Sequence, residues 1–235
     1  MKIVGLQRLT LLDFPGRVAC TVFLEGCNFR CPFCHNSQLL GCDAQALMEP
    51  AELISFLESR RGILDGVCIT GGEPTLSQEL PDLMRRIKSL GFQVKLDTNG
   101  YRPDVLKALV GEGLVDYVAM DVKNGPVRYA ETAGMQHFHL ERIEESIRFL
   151  LSGAVDYELR TTVAEPLHDE TAISDMAKWL TELAGEHKIL GLYLQPFVDR
   201  DTVPVAGLTA PDEKTLAKYC EILAGCAEKV EVRGK

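Results

Sequence analysis

From residue 18 onward the chain alternates between two hydrophobic periods. Short β-rich runs at 18–24, 66–70, 93–97, 117–121, 157–163 and 190–196 are each followed by apolar residues at helical spacing. Leu83, Ile87 and Leu90 stand at i, i+4, i+7; Ile143, Ile147, Leu150 and Leu151 repeat that face, as do Ile173, Met176, Ala177, Leu180 and Leu183. Gly91 and Gly153 fall where helices of this length should end. Strand–helix alternation predicts βαβ units and a parallel sheet, with crossovers of one hand. Six units are too few for a closed eight-stranded barrel. The expected class is α/β, a partial (β/α)6 TIM-like open barrel; periodicity alone leaves a flavodoxin-like open sheet as the alternative. Before residue 18, the turn signal Asp13-Phe14-Pro15-Gly16 lies between two apolar stretches and predicts an N-terminal hairpin. Val230-Glu231-Val232 can add a short last strand. With no linker or repeat in view, a single domain over 1–235 is expected, with 1–17 as the hairpin extension and 18–235 as the barrel.

Directly after the first β run comes Gly26-Cys27-Asn28-Phe29-Arg30-Cys31-Pro32-Phe33-Cys34-His35-Asn36. Cys27, Cys31 and Cys34 have the spacing C-x3-C-x2-C, which suits a soft-metal centre. Four-iron clusters and structural zinc normally take four protein ligands. Three leave one coordination position open, the mark of a centre that binds a substrate or cofactor. Zinc completed by His35 or a distant cysteine is the plainer alternative. The chain holds eight cysteines and carries no signal-like start or membrane-length apolar run. A cytoplasmic location is expected, where cysteines serve metals or catalysis rather than disulfides. Cys20, Cys68 and Cys220 are expected as buried hydrophobes, and Cys42 and Cys226 receive no role. A net charge of −9 without a basic stripe argues against nucleic acid as a partner.

In parallel α/β folds, chemistry gathers at the C-terminal ends of the strands. The polar clusters that break the β runs all fall there. Gly71 and Gly72 permit close backbone approach to a ligand, and Glu73 adds a carboxylate for an ammonium group. Asp97, Thr98 and Asn99 can hold ribose hydroxyls or a small ion. Asp121 and Lys123 share a face by the period of two. Lys123 can bind a carboxylate, and so can Arg160, whose plain alternative is an ion pair with Glu158 or Asp156. Gln195 ends the sixth run. His35 is not expected as a ligand, and His168 is expected at the surface. His137 and His139 lie in a long loop, 124–139, expected to act as a partner-facing lid.

Taken together, these motifs resemble those of radical S-adenosylmethionine (SAM) enzymes. In that family the cysteine triad binds a [4Fe–4S] cluster, and SAM completes the open iron through its amino and carboxylate groups. Phe33 matches the aromatic residue of the signature. Gly71-Gly72-Glu73-Pro74 resembles the motif that contacts the SAM amino group. Within the family, Cys31-Pro32-Phe33-Cys34-His35-Asn36 and Leu96-Asp97-Thr98-Asn99-Gly100 resemble glycyl-radical-enzyme activases. The opening Gly5-Leu6-Gln7 and Leu11-Leu12-Asp13-Phe14-Pro15-Gly16 are similar to activases of anaerobic ribonucleoside-triphosphate reductase. The resemblance implies reductive cleavage of SAM and a glycyl radical enzyme as partner, that reductase first and a pyruvate formate-lyase type second. It also implies a flavodoxin or ferredoxin electron donor. By similarity to pyruvate formate-lyase activases, Asp97, Thr98, the backbone of Ala119, and Asp121 would match a monovalent-cation site, and Asp121 and Lys123 a SAM contact. A histidine that touches ribose in those enzymes is absent here, so that contact falls to Gln195 or is lost. Two other functions compete. One is a small-molecule radical SAM enzyme such as a deazaguanine synthase. The other is an iron–sulfur electron carrier or sensor with Cys20 or Cys42 as fourth ligand.

Overall fold

The computed structural model describes residues 1–41 and 45–234. Its strands are β1 (Ile3–Thr10), β2 (Ala19–Leu24), β3 (Gly66–Gly71), β4 (Gln93–Thr98), β5 (Tyr117–Asp121), β6 (Asp156–Val163), β7 (Leu192–Pro196) and β8 (Val230–Val232). The helices are α1 (Pro50–Glu58), α2 (Leu80–Ser89), α3 (Pro103–Gly111), α4 (Tyr129–Ala133), α5 (Leu140–Leu151), α6 (Glu170–Ala184) and α7 (Glu213–Leu223). The strands form one eight-stranded sheet in sequence order. Strand β1 pairs antiparallel with β2; the pairs β2/β3, β3/β4, β6/β7 and β7/β8 are parallel. The result is an α/β fold on a mostly parallel, open sheet. The chain divides into two compact units, Met1–Asn28 with Gln38–Ala119, and Phe29–Ser37 with Met120–Lys235. No helix is long and apolar enough to cross a membrane among the described residues.

The predicted runs match the strands to within two residues. Strands β2 and β3 read as unbroken apolar stretches because parallel strands are covered on both faces; Ala19, Cys20, Val22, Val67, Cys68 and Ile69 are all buried. The predicted helix faces are also the inward ones. Helix α2 buries Leu80, Leu83, Met84 and Ile87, and α5 buries Ile143, Ile147 and Leu150. Each such side chain contributes about 1.5–3 kcal/mol by leaving water. Asp169 caps α6 through the Ala172 N–H at 2.8 Å, and Asp212 caps α7 through Thr215 N–H at 2.7 Å. Gly91 and Gly153 follow α2 and α5 with φ of +91° and +75°, the left-handed ending that glycine favours.

The N-terminal hairpin has β2 itself as its second arm, with Ile3 opposite Leu24 and Thr10 opposite Ala19. Its turn is the predicted one. Arg17 N–H donates to Phe14 C=O at 3.1 Å, with Pro15 and Gly16 between them and Gly16 at φ +69°. Phe14 then folds inward against Tyr117, ring centroids 6.1 Å apart.

Candidate active site

In the first unit, β2 runs into Gly26-Cys27-Asn28, and β3 runs into Gly71-Gly72-Glu73. The two loops are laid against each other. Gly72 N–H donates to Leu24 C=O at 2.9 Å and Glu73 N–H to Gly26 C=O at 2.7 Å. A Cβ on Gly71, which has φ +124°, would stand 2.3 Å from Leu24 backbone atoms; one on Gly72 would stand 2.0 Å from the Gly26 oxygen. The sequence reading kept these glycines side-chain-free for a ligand. Here the backbone they admit is that of the loop carrying Cys27.

Glu73 is buried, and its carboxylate accepts four hydrogen bonds from neutral donors. These are Thr75 N–H at 3.1 Å, the Thr75 hydroxyl, the Thr98 hydroxyl at 2.8 Å and Asn99 N–H at 2.7 Å. Three converge on Oε1 and one reaches Oε2. Burial raises the pKa of this carboxyl, and the four donors only partly oppose that. Asn99 also reaches the cysteine loop, its Nδ2 donating to Asn28 Oδ1 at 2.8 Å while its Oδ1 accepts from Tyr101 N–H at 3.0 Å. Cys27 is therefore held on both sides, through Gly26 by the β3 loop and through Asn28 by Asn99. Two residues before Asn99, Asp97 forms an ion pair with the buried Lys95, which the strand's apolar run conceals.

In the second unit, Cys31 is buried and Cys34 half-buried, joined by a Cys34 N–H to Cys31 C=O bond of 3.1 Å. Burial pushes the Cys31 thiol up to about 11, and Lys123 pulls in the opposite direction. Lys123 Nζ donates to Asp121 Oδ2 at 2.9 Å. Arg160 donates to Asp121 Oδ1 from Nε at 3.0 Å and approaches it from Nη2 at 2.9 Å. Burial acts against the Asp121 carboxylate, but Arg160 and Lys123 outweigh it and bring its pKa down to about 2. Burial also acts against the Lys123 ammonium, yet Asp121 and then Cys31 hold its pKa above the usual lysine range. Arg160 therefore pairs with Asp121, an acid on a neighbouring strand. Glu158 binds Arg233 at 2.7 Å, while Asp156 is exposed.

His168 corrects the sequence expectation. It is fully buried rather than on the surface, with its ring 6.0 Å from that of Phe33, the residue before Cys34. Its Nε2 lies 2.8 Å from the Lys123 carbonyl, an acceptor, and so donates; Nδ1 can then accept from Ala164 N–H at 3.1 Å. Burial lowers its pKa, which fits this neutral form. The 124–139 loop is likewise not a free lid. It contains α4 and anchors the segment leading to Cys31: Arg30 N–H donates to Ala133 C=O at 2.9 Å, and a Cβ on Gly134 would stand 2.1 Å from Arg30 O. Tyr129 stacks on Phe138 at 5.0 Å, and Phe138 meets Phe29 edge-on at 6.1 Å. His137 and His139 stay exposed.

His35 has a structural partner. Its Nε2 lies 2.7 Å from Val198 C=O, and its ring stacks on Phe197 at 5.7 Å. Gln195 is half-buried near the end of β7, opposite Thr162 in register. Cys20, Cys68 and Cys226 are buried and Cys220 half-buried; Cys42 lies outside the described residues. Among the described residues, no three His, Cys, Asp or Glu side chains form a preformed metal-binding group.

The model of the radical SAM superfamily matches residues 21–176. The chain belongs to the radical SAM superfamily. A candidate glycyl-radical enzyme activating enzyme of Methanocaldococcus jannaschii is 34% identical over 98% of this chain and 95% of its own length. A 7-carboxy-7-deazaguanine synthase of Hyperthermus butylicus is 38% identical, but over 38% of each chain. Among solved structures, a domain of pyruvate-formate lyase-activating enzyme from Bacteroides vulgatus superposes with a TM-score of 0.58 at 22% identity, covering 72% of this chain and 99% of that one. That likeness supports the radical SAM fold. Superfamily members share a [4Fe–4S] cluster and SAM.

Proposed function

We propose that this chain is a radical SAM activase that places a glycyl radical on a partner enzyme, with anaerobic ribonucleoside-triphosphate reductase as the target. The activase reading is carried by the 34% identity to the Methanocaldococcus jannaschii relative along nearly the full length of both chains; the choice of target rests on the resemblance of the opening Gly5-Leu6-Gln7 and Leu11-Leu12-Asp13-Phe14-Pro15-Gly16. The short deazaguanine synthase match does not extend over the whole fold.

The residues fit the implied cofactors by the chemistry of their donors. Cys27, Cys31 and Cys34 offer three soft thiolates, suited to three irons of a [4Fe–4S] cluster. When bound, the reduced cluster supplies the electron that cleaves SAM into methionine and a 5′-deoxyadenosyl radical. The chain's own side chains bind and orient. Lys123 favours the thiolate of Cys31. Lys123 and Arg160, held by Asp121, present cationic groups suited to the SAM carboxylate. The Gly71-Gly72-Glu73 loop offers backbone carbonyls to its ammonium, while Asp97, Thr98, Asn99 and Gln195 are the polar groups for the ribose end. The buried Phe33 ring, next to Cys34, packs against His168. A glycine loop of the partner supplies the hydrogen atom, and a flavodoxin or ferredoxin in the cytoplasm supplies the electron.

Anaerobic reconstitution should incorporate about four irons per chain. The Cys31→Ala variant should cleave no SAM. Wild-type protein mixed with anaerobic ribonucleotide reductase and SAM should give a glycyl radical by electron paramagnetic resonance. SAM cleavage without that signal, but with one on a formate-lyase-type partner, would reassign the target.

A further inference from the structure

The monovalent-cation site implied by the sequence resemblance does not fit the side chains present. Within the first unit, Asp97 already has a cation. Lys95 sits two residues earlier on β4, on the same face by strand alternation, and its ammonium pairs with Asp97 Oδ1. The Lys95 side chain is 2% exposed and that of Asp97 13%. Cys68, opposite Lys95 in the β3/β4 register, completes the group; its sulfur lies 3.9 Å from Lys95 Nζ and 3.6 Å from Asp97 Oδ1. The Thr98 hydroxyl is also engaged, donating to Glu73 and accepting from Gly100 N–H at 3.1 Å. Within the second unit, Asp121 is compensated by Lys123 and Arg160.

We infer that Lys95 is a tethered cation. Its ammonium supplies the positive charge at Asp97, so SAM binding by this chain needs no sodium or potassium. A buried lysine keeps its charge only beside a counter-charge, and a buried aspartate likewise. The two residues therefore persist as a pair, and a compact ammonium resembles an alkali ion in charge and in the oxygen ligands it seeks. The lysine differs from an ion in that it cannot be washed out. The inference concerns the site assigned to SAM under the function proposed above, but the pairing itself is testable without SAM.

The test compares wild type, Lys95→Met, Lys95→Arg and the double variant Lys95→Met/Asp97→Asn. Each is studied in choline, sodium, potassium and ammonium chloride at one ionic strength. Thermal unfolding of the cluster-free chain is the first readout, and SAM affinity of the reconstituted protein by calorimetry is the second. Wild type and Lys95→Arg should give one melting temperature, and affinities within twofold, in all four salts. Lys95→Met should melt several degrees lower in choline and recover in sodium, potassium or ammonium, with SAM affinity falling at least tenfold in choline and returning with the ion. The double variant, lacking the Asp97 carboxylate, should lose that salt response. A wild-type protein that binds SAM only with sodium or potassium would overturn the inference, as would a Lys95→Met protein whose melting ignores the ion. Failure of the wild type to bind SAM in any salt would instead strike the functional reading, with the melting series still deciding on Lys95.

Discussion

Glu73 in the first unit and Asp121 in the second are both carboxylates at a strand terminus, yet their surroundings drive them in opposite directions. Glu73 is met by hydroxyls and backbone N–H groups, all neutral, and burial raises its pKa. Asp121 is met by an ammonium and a guanidinium, and its pKa falls to about 2 despite burial. The charge of such a carboxylate is set by the charge of its donors more than by their number. Glu73 accordingly acts as an internal tie between two loops, while Asp121 acts as the fixed anion that positions two cations.

The strongest way to break this contrast is Asp121→Asn. It removes the anion that the largely buried Lys123 and Arg160 share, and should cost about 3 kcal/mol. Urea unfolding of the cluster-free chain reads this directly; a loss below about 1 kcal/mol would show that water already compensates the pair. Glu73→Gln removes an acceptor but orphans no charge, so a smaller loss of about 1.5 kcal/mol is expected by the same measurement. A larger loss than for Asp121→Asn would invert the comparison. The pH dependence sharpens it at the smallest scale. Asp121 has a folded pKa depressed from 3.8 to about 2, so its contribution is fully present above the unfolded value and is lost as pH falls through that window. With its side chain 30% exposed, this amounts to about 1 kcal/mol after solvent screening. Asp121→Asn should flatten the stability curve between about pH 4 and pH 2. Glu73 has the opposite sign: its folded pKa is raised, so wild-type stability falls as pH climbs above the unfolded value near 4.5, and the gap to Glu73→Gln narrows there. Parallel curves for the two variants would mean that the carboxylates titrate alike.

Much of the fold was legible because it rests on local patterns. Strand positions and helix faces follow from periods of two and 3.6, and the Asp121–Lys123 pair from strand alternation. What was not legible is long-range. Arg160 finds Asp121 across 39 positions, a pairing that no spacing rule announces, so its nearer acids were considered instead. His168 was read from its neighbour Asp169, a helix cap, as exposed; only the inward course of residues 164–168 buries it against Phe33. Lys95 carries a usable signal, a lone charge inside an apolar strand two residues before an acid, which the hydrophobicity of the run masks. The 124–139 loop was judged by length, while its aromatic residues Tyr129 and Phe138 were the better indicator that it packs inward.

The near-touch of Gly72 on the Gly26 oxygen leaves no clearance for even a methyl group. The strand-end that bears Glu73 and the turn that bears Cys27 therefore behave as one mechanical part. A substitution at position 72 would displace Cys27 and the Glu73 tie in a single movement, so damage intended for one would always register at the other.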